Sequence, residues 1–188
     1  MDLIEAHGHA MQEFDLRVRQ VLPDQWELGT PCEEWSVRDL VGHLVHEQLW
    51  APELLAGVTP EQVGDRFDGD NLGSDPLLAW VWAAGAAREA WISPKALLRH
   101  VHVTSGRIPA TEYGWQMTAD LAVHAWDLAR ALGVDERIDP RLAKAVLDQV
   151  EPQVSGWQHS GMFAEPVPVP DDTDDQTRLV ALLGRDPS

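Results

Sequence analysis

The sequence predicts a mainly α-helical single domain: a four-helix bundle with additional short helices and, at one place, a short extended segment. Three observations carry that expectation. Apolar residues recur at helical spacing through four long stretches. Capping or breaking residues bracket those stretches. A strand-like pattern is confined to residues 97–103. The 188 residues suit one domain long enough to bury a core, with residues 165–188 as a Pro- and Asp-rich extension ending in a short helix.

In chain order, Leu3, Ile4, Met11, Phe14, Leu16, Val18 and Val21 set a first helix over Asp2–Leu22, closed by Pro23. Pro23 to Trp35 reads as a connector. Ser36, with Asp39 three residues on, caps a second helix. It runs through Val37, Leu40, Val41, Leu44, Val45 and Leu49 towards Gly57, with Pro52 as the point where it bends or ends. Residues 58–74, rich in Gly and Asp, form a loop with a short helical turn at Pro60–Val63. Asp75-Pro76 opens a third helix to about Trp91, stopped at Ser93-Pro94. Leu97 to Val103 is a short strand or an extended crossover. Ala110–Leu132 is a long helix closed by Gly133. Asp139-Pro140 opens another that ends near Pro152, and Asp175–Leu183 forms the last.

Charge and composition exclude several classes. With 31 acidic against 14 basic residues, the formal charge is −17. Neither nucleic acid nor an anionic membrane is an expected partner, since both need clustered Lys and Arg. No apolar run approaches the roughly 20 residues of a membrane-spanning helix. The N-terminus, MDLIEAHGHAMQEF, lacks the basic and continuously apolar parts of a signal peptide. A cytoplasmic address and a small-molecule substrate follow. Cys32 is the single cysteine, so neither an intrachain disulfide nor a Cys-rich zinc site is available. The nine tryptophans are compatible with a homodimer as well as with a core; Trp50, Trp80, Trp82 and Trp126 read as core.

Helix geometry singles out a candidate site. His43 falls on the shoulder of the second helix's apolar stripe, whereas His46 points away from it. On the later helix Met117, Leu121, Leu128 and Leu132 define the inward face; His124 lies within it and Asp120 on its edge one turn earlier. A carboxylate and an imidazole at i, i+4 can grip one ion. Two imidazoles and one carboxylate from two helices leave a coordination position open, which suits Zn²⁺ and also Fe²⁺ or Ni²⁺. D-x-x-x-H is common by chance, however, and an inward histidine is more often a hydrogen-bonded core residue. Spacing alone leaves both readings standing.

Longer motifs go further. The run Thr30-Pro-Cys-Glu-Glu-Trp-Ser-Val-Arg-Asp-Leu-Val-Gly-His43 resembles the T-P-C-x-x-W-x-V-x-x-L-x-x-H opening of an actinobacterial branch of the DinB-like metalloenzyme superfamily. Asp120-Leu-Ala-Val-His124-Ala-Trp126-Asp127-Leu-Ala-Arg130 is similar to that branch's D-x-x-x-H-x-W-D-L-A-R segment. Val167-Pro-Val-Pro170, Asp171-Asp172 and the stretch from Arg178 through Leu183-Gly-Arg-Asp-Pro187 fit its C-terminal signature. The branch is related to the metal-binding N-terminal domain of mycothiol-dependent maleylpyruvate isomerase. The resemblance implies a DinB-type bundle with a three-ligand metal site at His43, Asp120 and His124. The isomerase usually has Glu where this chain has Asp120; the shorter Asp brings the metal nearer the helix or admits a water. It also carries a further C-terminal domain that this sequence, ending at Ser188, does not.

The implied chemistry is activation of a thiol, mycothiol, at a divalent metal for transfer to a small electrophile or for isomerisation. A metal-dependent hydrolase and a non-catalytic metal-binding protein are the alternatives. Glu47, one turn after His43, is a candidate further ligand or general base. Asp127 is a candidate to orient a ligand imidazole, or else an ion-pair partner of Arg130. Cys32 reads as a buried small side chain more readily than as a reactive thiol. His7 with His9, and His100 with His102, lack a third ligand and read as surface or packing residues. His159, beside Trp157, is a weaker candidate for the pocket mouth.

Overall fold

A computed structural model describes residues 1–154 and 164–188; Trp157 and His159 lie outside the described residues. The elements are α1 (Leu3–Val18), α2 (Val37–Ala56), α3 (Pro60–Val63) and α4 (Pro76–Ile92), then a 3₁₀ turn (Ala96–Leu98). Strands β1 (His100–Val103) and β2 (Gly106–Pro109), then α5 (Ala110–Leu132), α6 (Pro140–Val150) and α7 (Asp175–Leu182), complete the chain. The four long helices pack in two pairs, α1 on α5 and α2 on α4, and contacts of α2 with α5 and of α1 with α4 close the bundle. α6 and α7 pair with each other at its side. Phe14, Leu40, Leu44, Trp80, Trp91, Leu121 and Leu128 are fully buried in the core between them.

Local chemistry explains the boundaries. Ser36 accepts from the Asp39 backbone N–H while the Asp39 carboxylate accepts from that of Ser36, a capping box that fixes the first turn of α2. Asp75 caps α4 and Pro76 occupies its first turn. Gly57 and Gly133 end α2 and α5 in the left-handed conformation.

Several expectations are corrected. The first helix ends at Val18, not Leu22, because Gln20 and Val21 bond to the third residue back and tighten the chain out of the α-helix before Pro23. Pro52 does not end α2, which continues to Ala56. The extended segment is an antiparallel hairpin, His100 opposite Pro109 and Val103 opposite Gly106, rather than a crossover. Trp80 and Trp126 are buried and Trp50 half-buried, but Trp82 is 74% exposed on the outer side of α4. It lies two positions from Trp80, and two positions on a helix turn a side chain through more than half a circle. Among the described residues, no helix is long and apolar enough to cross a membrane.

Candidate functional site

Tyr113, Met117, Asp120, His124 and Asp127 follow one another along α5 at steps of four, three, four and three, so they share one face of the helix. His43 and Glu47 stand one turn apart on α2. All of these except Asp127 line a cavity of about 730 Å³ that the loop before α2, the β1–β2 turn and the C-terminal residues complete.

At its base the two oxygens of Asp120 each meet an imidazole. His43 Nε2 is 3.1 Å from Oδ2 and His124 Nε2 is 3.3 Å from Oδ1. One nitrogen or oxygen from each of the three residues lies within 4.8 Å of the others. Ligands at about 2.0–2.1 Å from a tetrahedral zinc stand roughly 3.3 Å apart. The spacings found here therefore fit a shared divalent ion as well as they fit direct hydrogen bonds.

The surroundings favour a cation on the Nε2 side of His124. Its Nδ1 is 2.9 Å from Asp127 Oδ2, an arrangement that fixes the ring and turns the Nε2 lone pair towards Asp120. Asp127 is wholly buried and receives the Arg185 guanidinium, with Nη2 at 2.9 Å and Nε at 3.3 Å. Arg185 Nη2 also reaches Cys32 Sγ at 3.2 Å, and the Cys32 thiol lies 3.2 Å from Asp127 Oδ2. Cys32, His124 and Asp127 form a second cluster of metal-type donors. A fixed guanidinium already supplies positive charge there, so this corner does not need an ion. Asp120 has its ion pairs with His43 and His124, and Arg185 acts on its charge from farther away.

Burial and charge pull in opposite directions in this site. Burial opposes ionisation of Asp120, but the adjoining His43 and His124 prevail and hold its carboxyl well below the usual range. For His124 burial acts downward, and Asp120 outweighs it and raises the imidazole well above its usual value. Burial, reinforced by the Asp120 charge, pushes the Glu47 carboxyl up to about 7. Burial likewise raises the Tyr113 phenol, with Glu47 and Asp120 adding to the effect. Tyr113 Oη is buried in the cavity wall and has no hydrogen-bond partner among the described residues. Trp35 lies over both imidazoles, 5.0 Å from the His43 ring and 5.8 Å from that of His124.

The structure thus brings His43, Asp120 and His124 together, with Glu47 in the cavity wall and Asp127 behind His124. Asp127 does not pair with Arg130, which binds Glu136 instead. Cys32 is not an isolated packing residue; it belongs to the Asp127–Arg185 cluster. His46 is not solvated: it accepts from Trp50 Nε1 at 2.9 Å and its Nδ1 faces the Phe67 carbonyl at 3.2 Å. His7 is buried against Trp91, and His9 pairs with Asp139. His100 and His102 lie on β1, away from the cavity.

Sequence reasoning missed Arg185, Tyr113 and the position of Trp35. Arg185 and Trp35 both sit inside quoted motifs, so a signal existed without a role attached. Arg185 reaches the site because Gly184 turns with φ +83 against Ala164, where a Cβ would lie 2.6 Å from the Ala164 Cβ. Nothing marked Tyr113, whose phenol lies in the cavity wall with no partner among the described residues.

Residues 7–129 match the family model for the mycothiol maleylpyruvate isomerase N-terminal domain. Two uncharacterized proteins of Mycobacterium tuberculosis, from different strains, are each 32% identical over 193 residues, covering 98% of this chain and 98% of theirs. Crystal structures of the mycothiol-dependent maleylpyruvate isomerase and of a mutant of it align with TM-scores of 0.65, at 18% and 17% identity. They cover 86% of this chain and 73% of theirs, a likeness that shows the shared fold. The chain belongs to the mycothiol maleylpyruvate isomerase N-terminal domain family.

Proposed function

We propose that this protein is a divalent-metal-dependent enzyme that uses mycothiol, transferring the thiol to a small electrophile or isomerising it. The observation that carries the reading is the convergence of His43 Nε2 and His124 Nε2 on the two oxygens of Asp120 at the base of an open cavity. Those three side chains would hold the ion, with zinc best suited to two imidazoles and a carboxylate and nickel or iron also compatible. A divalent cation there would lower the pKa of a thiol, or of water, presented in its open position.

The chain's own residues have separate tasks. Asp127 orients His124 through Nδ1, and Arg185 neutralises Asp127. Trp35 screens both imidazoles from solvent on one side. Tyr113 offers a hydroxyl to an oxygen of the bound molecule. Glu47, in the cavity wall one turn from His43, is placed to exchange a proton with the bound molecule.

The test begins with elemental analysis of the purified protein. About one equivalent of a divalent ion is expected, with loss of most of it in His43→Ala and His124→Ala. Mycothiol consumption with a generic electrophile should then require the ion. Equal rates for loaded protein, ion-free protein and His124→Ala would reject thiol transfer. A loaded protein that hydrolyses small esters without consuming thiol would identify the hydrolase instead.

A further inference from the structure

The lining of the cavity sets the charge of whatever shares it with a thiol. Among the described residues that line it, Arg185 is the sole lysine or arginine, whereas Glu33, Glu47 and Asp120 are acids. Residues 155–163 contain neither lysine nor arginine. Arg185 is committed to its neighbours. Its Nε and Nη2 reach Asp127, Nη1 donates to the Leu183 carbonyl at 2.8 Å, and Nη2 also meets Cys32 Sγ. Arg107 stands beside the hairpin turn but on its other face. Val103, opposite Gly106, lines the cavity, and Arg107, opposite His102, is one position along; successive strand residues point to opposite sides.

We infer that the electrophile is an uncharged α,β-unsaturated carbonyl compound, which rests on the thiol-transfer reading above. The two charges of a divalent ion at His43, Asp120 and His124 are balanced by the Asp120 carboxylate and one thiolate. Arg185 balances the buried Asp127. Glu33 and Glu47 supply no positive charge in either protonation state. A carboxylate on the electrophile would therefore enter the cavity without a partner, and an unpaired charge taken from water is costly. The formal charge of −17 acts in the same direction, because the field of the whole chain repels an approaching anion.

Tyr113 is the reason for a carbonyl. Its hydroxyl is buried in the cavity wall with no partner among the described residues, so its one hydrogen is placed for an oxygen of the ligand. A carbonyl oxygen gathers electron density as a thiol adds to the conjugated double bond. A fixed donor aimed at that oxygen then binds more strongly than it does before the reaction. Trp35, Val103 and Met117 give the rest of the molecule an apolar wall.

Charge also favours addition over displacement. In addition the S–C bond forms at the β carbon and the π pair of the double bond shifts towards the carbonyl oxygen. The proton that the thiol gave up is returned at the α carbon, so every atom of both reactants stays in one product. Displacement would instead release an anion into a cavity with no spare cation to receive it.

Binding is read first, by ligand-detected NMR on the full chain loaded with zinc and saturated with mycothiol, and again on the ion-free protein without thiol. Cinnamamide and cinnamate are the probes, alike in size and shape and different in charge. Cinnamamide should bind at least about tenfold more tightly in both. Ser105→Lys, which adds a cation on the exposed hairpin turn at the cavity rim, should narrow that ratio. Turnover is read second, with mycothiol and either 3-benzoylacrylate or its methyl ester, each rate divided by the uncatalysed one. The ester should be favoured, and Tyr113→Phe should lower its kcat at least about tenfold with little change in KM. Cinnamate bound as tightly as the amide, faster turnover of the free carboxylate, or an unaltered kcat in Tyr113→Phe would each overturn the inference. Selective binding of cinnamamide with neither acceptor turned over would instead overturn thiol transfer, and the addition with it.

Discussion

Asp127 is wholly buried, and its carboxylate is tolerable there because three groups turn to it: the Arg185 guanidinium, the His124 imidazole and the Cys32 thiol. Removing one partner of a buried pair strands the other charge at a cost of about 3–5 kcal/mol. Arg185→Ala should therefore lower the thermal midpoint by roughly ten degrees, at about 2–4 °C per kcal/mol for a chain of this size. Combining it with Asp127→Asn should recover much of that loss, since neither charge is then left alone; a double-mutant cycle measures the coupling. Additive losses would show that Arg185 acts by packing. His7 makes a separate residue-scale prediction, remote from the metal-type donors. Burial, with the nearby Arg88 charge, lowers its imidazole from 6.5 to about 3. Below about pH 6.5 the unfolded chain takes up a proton at His7 while the folded chain does not until about pH 3. Stability from this group is thus fully present above pH 6.5 and is lost as pH falls towards 3. His7→Gln carries no such titration, so the stability gap between wild type and variant should narrow as the medium is acidified across that window. Denaturant melts at several pH values would show it, and a constant gap would mean that His7 is protonated in the fold.

α2 carries His43 two turns in from its N-terminus, so the cap at Ser36 bears on the site as well as on the helix. Both limbs of the capping box are made, and replacing such a cap by alanine costs about 1 kcal/mol. Ser36→Ala should lower the midpoint by roughly 2–4 °C, with the loss concentrated in faster amide exchange over the first turn of α2. An unchanged midpoint would mean that the strained loop before it, with Glu34 at φ +70, fixes the entry alone. The contrast between helix and loop is also the contrast between what was legible in the sequence and what was not. Periodicity and caps gave the long helices within a few residues, because a 3.6-residue repeat and an orphaned first turn leave marks in the sequence nearby. The same repeat brought His43, Asp120 and His124 to inward positions, and the motif chose them over His46. Arg185 reaches Asp127 across 58 residues, and Cys32 reaches it across 95; no local pattern encodes such contacts. Trp82 was misread for the opposite reason. The rule that tryptophan is buried speaks of the average residue, while the helical phase relative to Trp80 already turned it outward.

For the whole molecule, the excess of acid decides how stability responds to salt. With 31 acidic residues and 14 basic ones, even complete pairing would leave acids over. Two opposed effects follow from raising ionic strength. Screening weakens surface pairs such as Lys144–Asp148 and Arg137–Asp135, but exposed pairs contribute only about 0–1 kcal/mol each. Screening also relieves repulsion among the surplus carboxylates, which act over the whole surface when the Debye length is about 30 Å and little when it is about 8 Å. The second effect is the larger wherever one sign is in such excess. The thermal midpoint should therefore rise between about 0.01 M and 0.15 M sodium chloride. The gain should be greatest near neutral pH and shrink towards pH 4, where the carboxylates begin to protonate and the repulsion fades. Circular-dichroism melts at the two salt concentrations and two pH values separate the terms. A midpoint that falls with salt at neutral pH would mean that the ion pairs, rather than the net charge, govern the electrostatics of this fold.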